Sequence, residues 1–323
     1  MSRWLLRRSF DAAVTALVAV VVLIVLVRLL PGDPLAAILG EGARDPANVA
    51  ALQARYGINR TIVQSIVAFF AGLLRGDLGL SISDGRPVAA VLAEHLGPTL
   101  LLGGLTLLID FTVGLALGVW SALHPDSVRA RLLSALTVVG YTLPSFVVGM
   151  LLVWIFAVKL AWLPPGDMSS VLLPADAPWT EVFLDRLQHL VLPLSAMVIA
   201  TLAVPLRQQR TAALATAAQP WVLAARARGV RPAAVAWRHC WRPALTPIVT
   251  LLGLWLPMLV AGAVFVEFVF NWPGMGLLLA HATLERDFNM VIGGGLVVIV
   301  MVQLGSLLAD ALYHVVDPMQ RAA

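Results

Sequence analysis

One stretch of the chain carries side chains of the types that build an interface with another protein. Residues 207–243 hold seven arginines and no acidic residue. Residues 220–229 predict a short helix there, because proline suits the first helical turn and glycine suits the position just past the end. Four residues recur at helical spacing on one side of that helix: Trp221, Ala224, Ala225 and Arg228. Such a face could fill a groove in a partner protein. Alternatively, an amphipathic helix that lies on lipid headgroups explains the same residues equally well.

Two acidic residues in apolar sequence are candidates for a path through a membrane. Ionisable side chains are costly in lipid and therefore suggest function. Asp110 lies in the middle of an apolar block and Glu267 near the end of another. Asp110 could carry a proton, but one acid without an acidic or basic partner is also typical of a packing residue. Glu267 precedes the turn at 272–276, so we expect it to have a structural role at the mouth of such a path. Contact with the transported solute is the alternative.

Catalytic and cofactor sites have no support in the sequence. A P-loop ATPase needs the pattern G-x-x-x-x-G-K-[ST], and the only lysine, Lys159, is followed by Leu160. The six histidines are scattered without an H-E-x-x-H pair, and the lone Cys240 allows neither an internal disulfide nor a cysteine metal cluster. We therefore predict no catalytic, cofactor-binding or metal-binding residue. If this chain takes part in a process driven by ATP hydrolysis, another polypeptide must hydrolyse the ATP.

The elements that position these residues are long apolar blocks. The chain is 60% hydrophobic and 12% charged over 323 residues, whereas soluble domains are roughly a quarter charged. About 20 apolar residues span a bilayer as a helix, because backbone amides in lipid must be bonded within the segment. Six blocks qualify: 10–30, 98–123, 134–160, 187–206, 244–270 and 290–316. The predicted fold class is an all-α integral membrane protein with six transmembrane helices.

The distribution of charge predicts the orientation of these helices. With the N-terminus inside, the inner segments carry thirteen Lys or Arg against two acids, and the outer segments carry seven against twelve. This positive-inside bias predicts that both termini lie in the cytoplasm, and the net charge of +4 then reflects topology rather than nucleic-acid binding. The first block is too long for the core of a signal peptide and no cleavage site follows it, so we predict an uncleaved span.

The segment between the first two blocks is too long for a simple loop. Helical pieces at 48–56 and 62–74, separated by glycines, predict a small folded cap outside the membrane. The cap could meet a partner, or it could only order the first span. The predicted domains are therefore 1–96, comprising the first span and the extracytoplasmic cap, and 97–323, a five-helix core that contains the cytoplasmic loop at 207–243.

The basic loop contains two recognisable patterns, WVLAARARGV at 221–230 and RHCWRPALTP at 238–247. Together they resemble the cytoplasmic loop of binding-protein-dependent ABC importer permeases of the oligopeptide, dipeptide and nickel class. The residues that carry the resemblance are Trp221, Val222, Ala225, Arg226, Ala227, Arg228, Gly229, Val230, Arg238, His239, Arg242, Ala244, Leu245 and Pro247. Two positions depart from the family pattern: Pro220 stands where an acid is usual, and Pro243 stands where an asparagine is usual.

Five further stretches resemble the same family in the same order. They are LPGDPLAAILG at 30–40, LLRGDLGLSI at 73–82, GYTLPSFVVGMLL at 140–152, EFVFNWPGMGLLL at 267–279 and DALYHVVDP at 310–318. Each stretch alone is a weak signal, but six matches in the family order cover essentially the whole chain.

The resemblance implies a permease of the type I importer fold in a prokaryotic inner membrane, paired with a second homologous permease. It implies a coupling helix that seats on an ATPase subunit through Trp221, Ala224, Ala225, Arg226, Arg228 and Gly229. Two ABC ATPase subunits would bind ATP and Mg²⁺, so this chain would hold no cofactor and would be no enzyme. An extracytoplasmic substrate-binding protein would deliver peptides, nickel, nickel chelates or opine-like solutes. An ion-coupled secondary transporter and a membrane scaffold or receptor are the alternatives.

Overall fold

The computed structural model describes residues 2–30, 46–174, 176–241, 244–245, 248, 251–252, 255 and 263–316. Within these ranges the chain is helical throughout its regular structure, with no strand and one isolated bridge between Leu80 and Pro87. The predicted all-α class is therefore confirmed for the described part of the chain. Several predicted features lie outside the described residues: 31–40, Arg242, Pro243, Pro247 and the end of the last motif at 317–318.

The described part of the chain contains the following helices in chain order. Their bounds are Ser2–Leu29, Pro46–Tyr56, Ile62–Leu73, Val88–Ile109, Leu115–Leu123, Val128–Thr142, Ser145–Leu152, Trp179–Thr201, Ala203–Ala217, Pro220–Ala227, Pro232–Ala234, Val264–Val269, Met275–Leu284 and Phe288–Val316. Three π-helical segments complete the set: Asp110–Gly114, Val153–Lys159 and Val235–Trp241.

Four of the described helices are long and apolar enough to cross a membrane: Arg7–Leu29, Val88–Leu123, Trp179–Thr201 and Phe288–Leu308. The pair Val128–Thr142 and Ser145–Lys159 makes a fifth candidate if it forms one broken span. About half of the predicted block at 244–270 lies outside the described residues, which are continuous again from residue 263 and include the helix Val264–Val269. The described part of the chain thus holds four or five candidate spans, and the sixth stays a prediction.

The second predicted span begins earlier than its apolar sequence suggests. The helix starts at Val88 and runs through Pro98, although polar residues precede that proline. These polar groups find partners that are compatible with a helix: the His95 ring bonds to the Val91 carbonyl 2.8 Å away, and Glu94 pairs with Arg86. The helix of the second candidate span therefore includes residues 88–96, which the sequence places in the outer cap.

The third predicted span, 134–160, is not one straight helix. Two helices, Val128–Thr142 and Ser145–Lys159, meet at an angle of 104°. Leu143 adopts an extended conformation between them, because the ring of Pro144 disfavours the helical conformation of the residue before it. Pro144 therefore breaks the predicted block into two helices, and a single span over 134–160 stays a prediction.

The chain forms two compact units. The two domains predicted from the sequence, with a boundary at residue 96, stay a prediction. The first unit comprises 1–99 and 273–307, and the second comprises 100–272 and 308–323. In the first unit, the Asp287 carboxylate is buried and accepts hydrogen bonds from the Ser81 hydroxyl at 2.6 Å and the Ile82 amide at 2.8 Å. The Asn289 side chain donates to the Leu80 carbonyl at 2.9 Å. These bonds fix the turn at 80–83 against the start of the last helix.

In the second unit, small residues allow backbones to approach closely. A Cβ placed on Gly118 would stand 2.6 Å from the Leu206 carbonyl oxygen, and one on Gly140 would stand 2.7 Å from the Ile199 carbonyl oxygen. Small residues at such crossings are typical of membrane helix packing. The buried core of this unit surrounds Phe270 and Trp272, both fully buried.

Candidate functional site

The loop helix, Pro220–Ala227, begins and ends as the sequence predicts. Pro220 occupies the first turn after an extended Gln219, and Gly229 follows the helix with φ of +75°. The Gly229 amide bonds to the Arg226 carbonyl at 2.9 Å and the Val230 amide bonds to the Ala225 carbonyl at 3.2 Å. This pair of bonds is a Schellman motif, which requires a residue in the left-handed conformation and therefore favours glycine.

One side of the loop helix anchors it to the rest of the loop. Val222 and Ala225 are fully buried, and Val222 packs in a small apolar cluster with Val235 and Cys240. Burial raises the pKa of the Cys240 thiol, and the positive charge of Arg226 opposes that rise. Cys240 is therefore a packing residue whose thiol stays protonated at neutral pH.

The opposite side of the loop helix is exposed on the surface. Trp221 is 53% exposed, and Ala224, Arg226 and Arg228 are exposed as well. The prediction that Ala225 shares this face is wrong, because Ala225 is fully buried on the side of Val222, three residues earlier in the helix. The exposed row is Trp221, Ala224 and Arg228, and we call it the outer row.

A cavity of about 680 Å³ lies beside the loop helix in the second unit. Trp120 and His124 line it from the end of the second span, where their rings stack 5.5 Å apart. Arg226 and Trp237 line it from the loop. This cavity has no counterpart in the sequence prediction, since its walls come from segments about 110 residues apart.

Asp110 lies in the π-helical segment of the second span and is fully buried. The Thr201 hydroxyl donates to its Oδ2 at 2.6 Å, while no described group bonds to its Oδ1. The sequence did not indicate Thr201 as the hydrogen-bond partner of Asp110, because 91 residues separate the two in the chain. A role for Asp110 in a translocation path stays a prediction.

Glu267 is fully buried in the helix Val264–Val269. Its backbone carbonyl accepts from the Trp272 amide at 2.8 Å, which closes the turn that follows. Asp110 and Glu267 thus belong to different helices, whereas the loop-helix residues share one. Glu267, like Asp110, stays a predicted path residue.

The spans and the exposed basic helix define the class of this protein: it is a multi-span helical membrane protein with a short arginine-bearing helix in a loop between spans. The chain belongs to the family of binding-protein-dependent transport system inner membrane components, whose sequence profile matches residues 114–322. The N-terminal profile of such membrane components matches residues 1–101. The resemblance seen in the basic loop and the five ordered stretches is therefore confirmed.

Individual relatives match along nearly the whole chain. A putative peptide permease protein of Brucella suis biovar 1 is 35% identical over 320 residues, covering 98% of each chain. The dipeptide transport system permease protein of Escherichia coli K12 is 32% identical over 333 residues, also covering 98% of each. The oligopeptide transport system permease protein of Bacillus subtilis 168 is 28% identical over 319 residues, covering 98% of this chain and 99% of the relative. This chain is thus an inner-membrane permease component of an ABC importer, a class that works with ABC partner subunits and a substrate-binding protein.

Proposed function

We propose that this chain forms part of the path by which an ABC importer moves peptides across the inner membrane. The relatives named above are permeases for peptides, dipeptides or oligopeptides, which favours peptides over the nickel, nickel chelates and opine-like solutes that the motifs alone allowed. In this proposal the chain pairs with a second homologous permease, and six spans include the block at 244–270. Both termini face the cytoplasm, and the helices Pro46–Tyr56 and Ile62–Leu73 belong to a cap on the outer face.

The loop helix is the coupling element in this proposal. The observation that carries it is the outer row on a helix whose opposite side is anchored. Trp221 supplies exposed aromatic area, Ala224 permits close approach, and Arg228 offers a charge for a carboxylate on an ATPase subunit. Arg226 lies beside this row and could pair in the same way. Ala225 and Gly229 contribute by holding the helix in place rather than by contact.

Two ABC ATPase subunits bind ATP and Mg²⁺ in this scheme, and an external binding protein delivers the cargo. When nucleotide draws the ATPase subunits together, each loop helix moves with its subunit as a rigid body. The permease pair then changes from inward-open to outward-open, a two-state switch biased by nucleotide. The chain itself needs no cofactor for this work.

A cysteine cross-linking pair on one helix tests the coupling role. In a Cys240→Ala background, Ala224→Cys places a thiol on the outer row, and Ala225→Cys places the same substitution on the buried side. In the assembled importer, Ala224→Cys should cross-link to an ATPase subunit that carries a scanned surface cysteine, and Ala225→Cys should not. Equal cross-linking by both variants, or labelling of Ala224→Cys only from the outer side of intact cells, would overturn the proposal.

Transport by the isolated chain tests the importer mechanism itself. Vesicles that hold this chain without ATPase subunits should take up no peptide under an imposed proton or sodium gradient. Uptake in those vesicles would establish an ion-coupled secondary transporter instead, with Asp110 as its first candidate group.

A further inference from the structure

A second cavity, of about 650 Å³, lies within the first unit. Four arginines line it, Arg28, Arg55, Arg60 and Arg75, against a single acid, Asp77. The Asp77 carboxylate already accepts a hydrogen bond from the Gly79 amide at 2.8 Å. The cavity is therefore strongly electropositive, and we call it the arginine pocket.

The positive charge of this pocket is not balanced by acids among the described residues, where none of the four arginines forms an ion pair with an acid. Arg28 donates to the Ile58 carbonyl at 2.9 Å and to the Gly57 carbonyl at 2.8 Å, but its buried Nε has no described acceptor. Arg28 also repels Arg60 electrostatically. Arg28 is half-buried, whereas Arg55, Arg60 and Arg75 are exposed. An anion can therefore reach these cations and supply their missing counter-charge.

The position of the pocket indicates what the anion is attached to. Arg28 stands in the last turn of the candidate span Arg7–Leu29, so the pocket lies at the level where hydrocarbon gives way to headgroups. Ile24 and Ile292 line the cavity as buried residues, and Phe69 lines it as a half-buried one. A phospholipid at this level would place its phosphate among the arginines and its acyl chains in the adjoining hydrocarbon.

We propose that the arginine pocket binds the phosphate headgroup of an anionic phospholipid. Arginine forms charge-assisted hydrogen bonds with phosphate oxygens in two-pronged geometry, and the Arg28 Nε then gains an acceptor. The lipid occupies the leaflet next to the C-terminal end of the first span. Its binding joins that end of the span to the helix Ile62–Leu73, which contributes Phe69 to the wall.

Native mass spectrometry of the purified full chain tests this proposal. The probes are phosphatidylglycerol, phosphatidylcholine and diacylglycerol with identical acyl chains, together with inorganic phosphate as a competitor. Phosphatidylglycerol should bind at least about tenfold more tightly than diacylglycerol, given the strength of hydrogen bonds to charged groups. Phosphatidylcholine should bind more weakly than phosphatidylglycerol because its choline cation meets the arginines.

Paired variants separate the pocket from general charge. The double variant Arg60→Gln with Arg75→Gln should lose at least about tenfold in affinity for phosphatidylglycerol. The matched control is Arg86→Gln, because Arg86 lies in the same unit but outside the pocket and pairs with Glu94. Thermal unfolding in lipid-free detergent checks that both variants remain folded. Equal retention of phosphatidylglycerol and diacylglycerol, equal losses in the double variant and the control, or displacement by millimolar inorganic phosphate would overturn the lipid assignment.

Discussion

Gly229 offers a sharp test of how the loop helix is held. Its φ is +75°, and a Cβ at this position would meet no atom within 4 Å. Substitution therefore introduces no clash, and its cost is the strain of a left-handed conformation in a residue that has a Cβ. That cost is about 1 to 2 kcal/mol for alanine and higher for β-branched valine, whereas asparagine visits this conformation more readily.

The expected consequence is faster local opening at the end of the loop helix. A cost of about 1 to 2 kcal/mol changes an opening equilibrium by roughly five- to thirtyfold. The amides of Arg228, Gly229 and Val230 donate the bonds that close this end, so their hydrogen exchange should accelerate by that factor in Gly229→Ala. Gly229→Asn should lie between glycine and alanine, and Gly229→Val should exceed alanine.

A matched glycine elsewhere controls this experiment. Gly76 has φ of +74°, and a Cβ there would likewise meet no atom within 4 Å, so Gly76→Ala carries the same local cost outside the loop. In the reconstituted importer, peptide-stimulated ATP hydrolysis should fall in Gly229→Ala and stay unchanged in Gly76→Ala. Unchanged exchange in Gly229→Val would refute the conformational reasoning. Faster exchange with full ATPase stimulation would refute only the coupling role.

Three further predictions concern the second unit of the isolated chain. Thr201→Val should lower the free energy of unfolding by about 1.5 to 3 kcal/mol, because Asp110 loses its hydroxyl donor. Thermal unfolding measures this change, and Thr201→Ser, which keeps the hydroxyl, should retain the stability of the wild type. Gly118→Ala should lower the free energy of unfolding by about 1 to 3 kcal/mol, since a Cβ would stand 2.6 Å from a backbone oxygen. Gly104 lies in the same span, and a Cβ there would meet no atom within 4 Å. Gly104→Ala should therefore leave the free energy of unfolding unchanged or raise it in the same assay. The folded-state pKa of the Cys240 thiol is raised, so the contribution of this thiol to stability should be complete below the unfolded-state pKa and lost as pH rises through the folded-state pKa. The thermal unfolding midpoints of the wild type and Cys240→Ala should therefore converge at alkaline pH. Parallel curves of midpoint against pH would contradict this.

The sequence predicts best the features that depend on local chemistry. The loop helix begins at Pro220 and ends before Gly229, as expected from the separate preferences of proline and glycine at helix ends. The helical pieces expected at 48–56 and 62–74 correspond to Pro46–Tyr56 and Ile62–Leu73. In the second of these, the Thr61 side chain and Gln64 form a reciprocal capping box, which is a local signal that the sequence displays.

The sequence predicts poorly the features that depend on distant partners. Spacing alone cannot tell which side of a short helix packs against the loop, so the sequence places Ala225 on the exposed face although the structure buries it. Thr201, the partner of Asp110, belongs to another helix 91 residues away, so no local pattern indicates it. In each case the missing information is a tertiary contact, which has no local signature.

The structure also provides a physical route by which movement of the loop helix could reach the spans. Two residues, 218–219, separate the loop helix from Ala203–Ala217, so the two helices cannot move far independently. Helix Ala203–Ala217 packs directly on the end of the second span at Gly118, where a Cβ would stand 2.6 Å from the Leu206 carbonyl oxygen and 2.9 Å from the Gln209 Cβ. Close-packed contacts of this kind transmit displacement because they cannot be compressed. A force on the outer row therefore acts on the second span through one short connection and one rigid crossing, and Gly118→Ala should disturb this route even where the loop helix itself is intact.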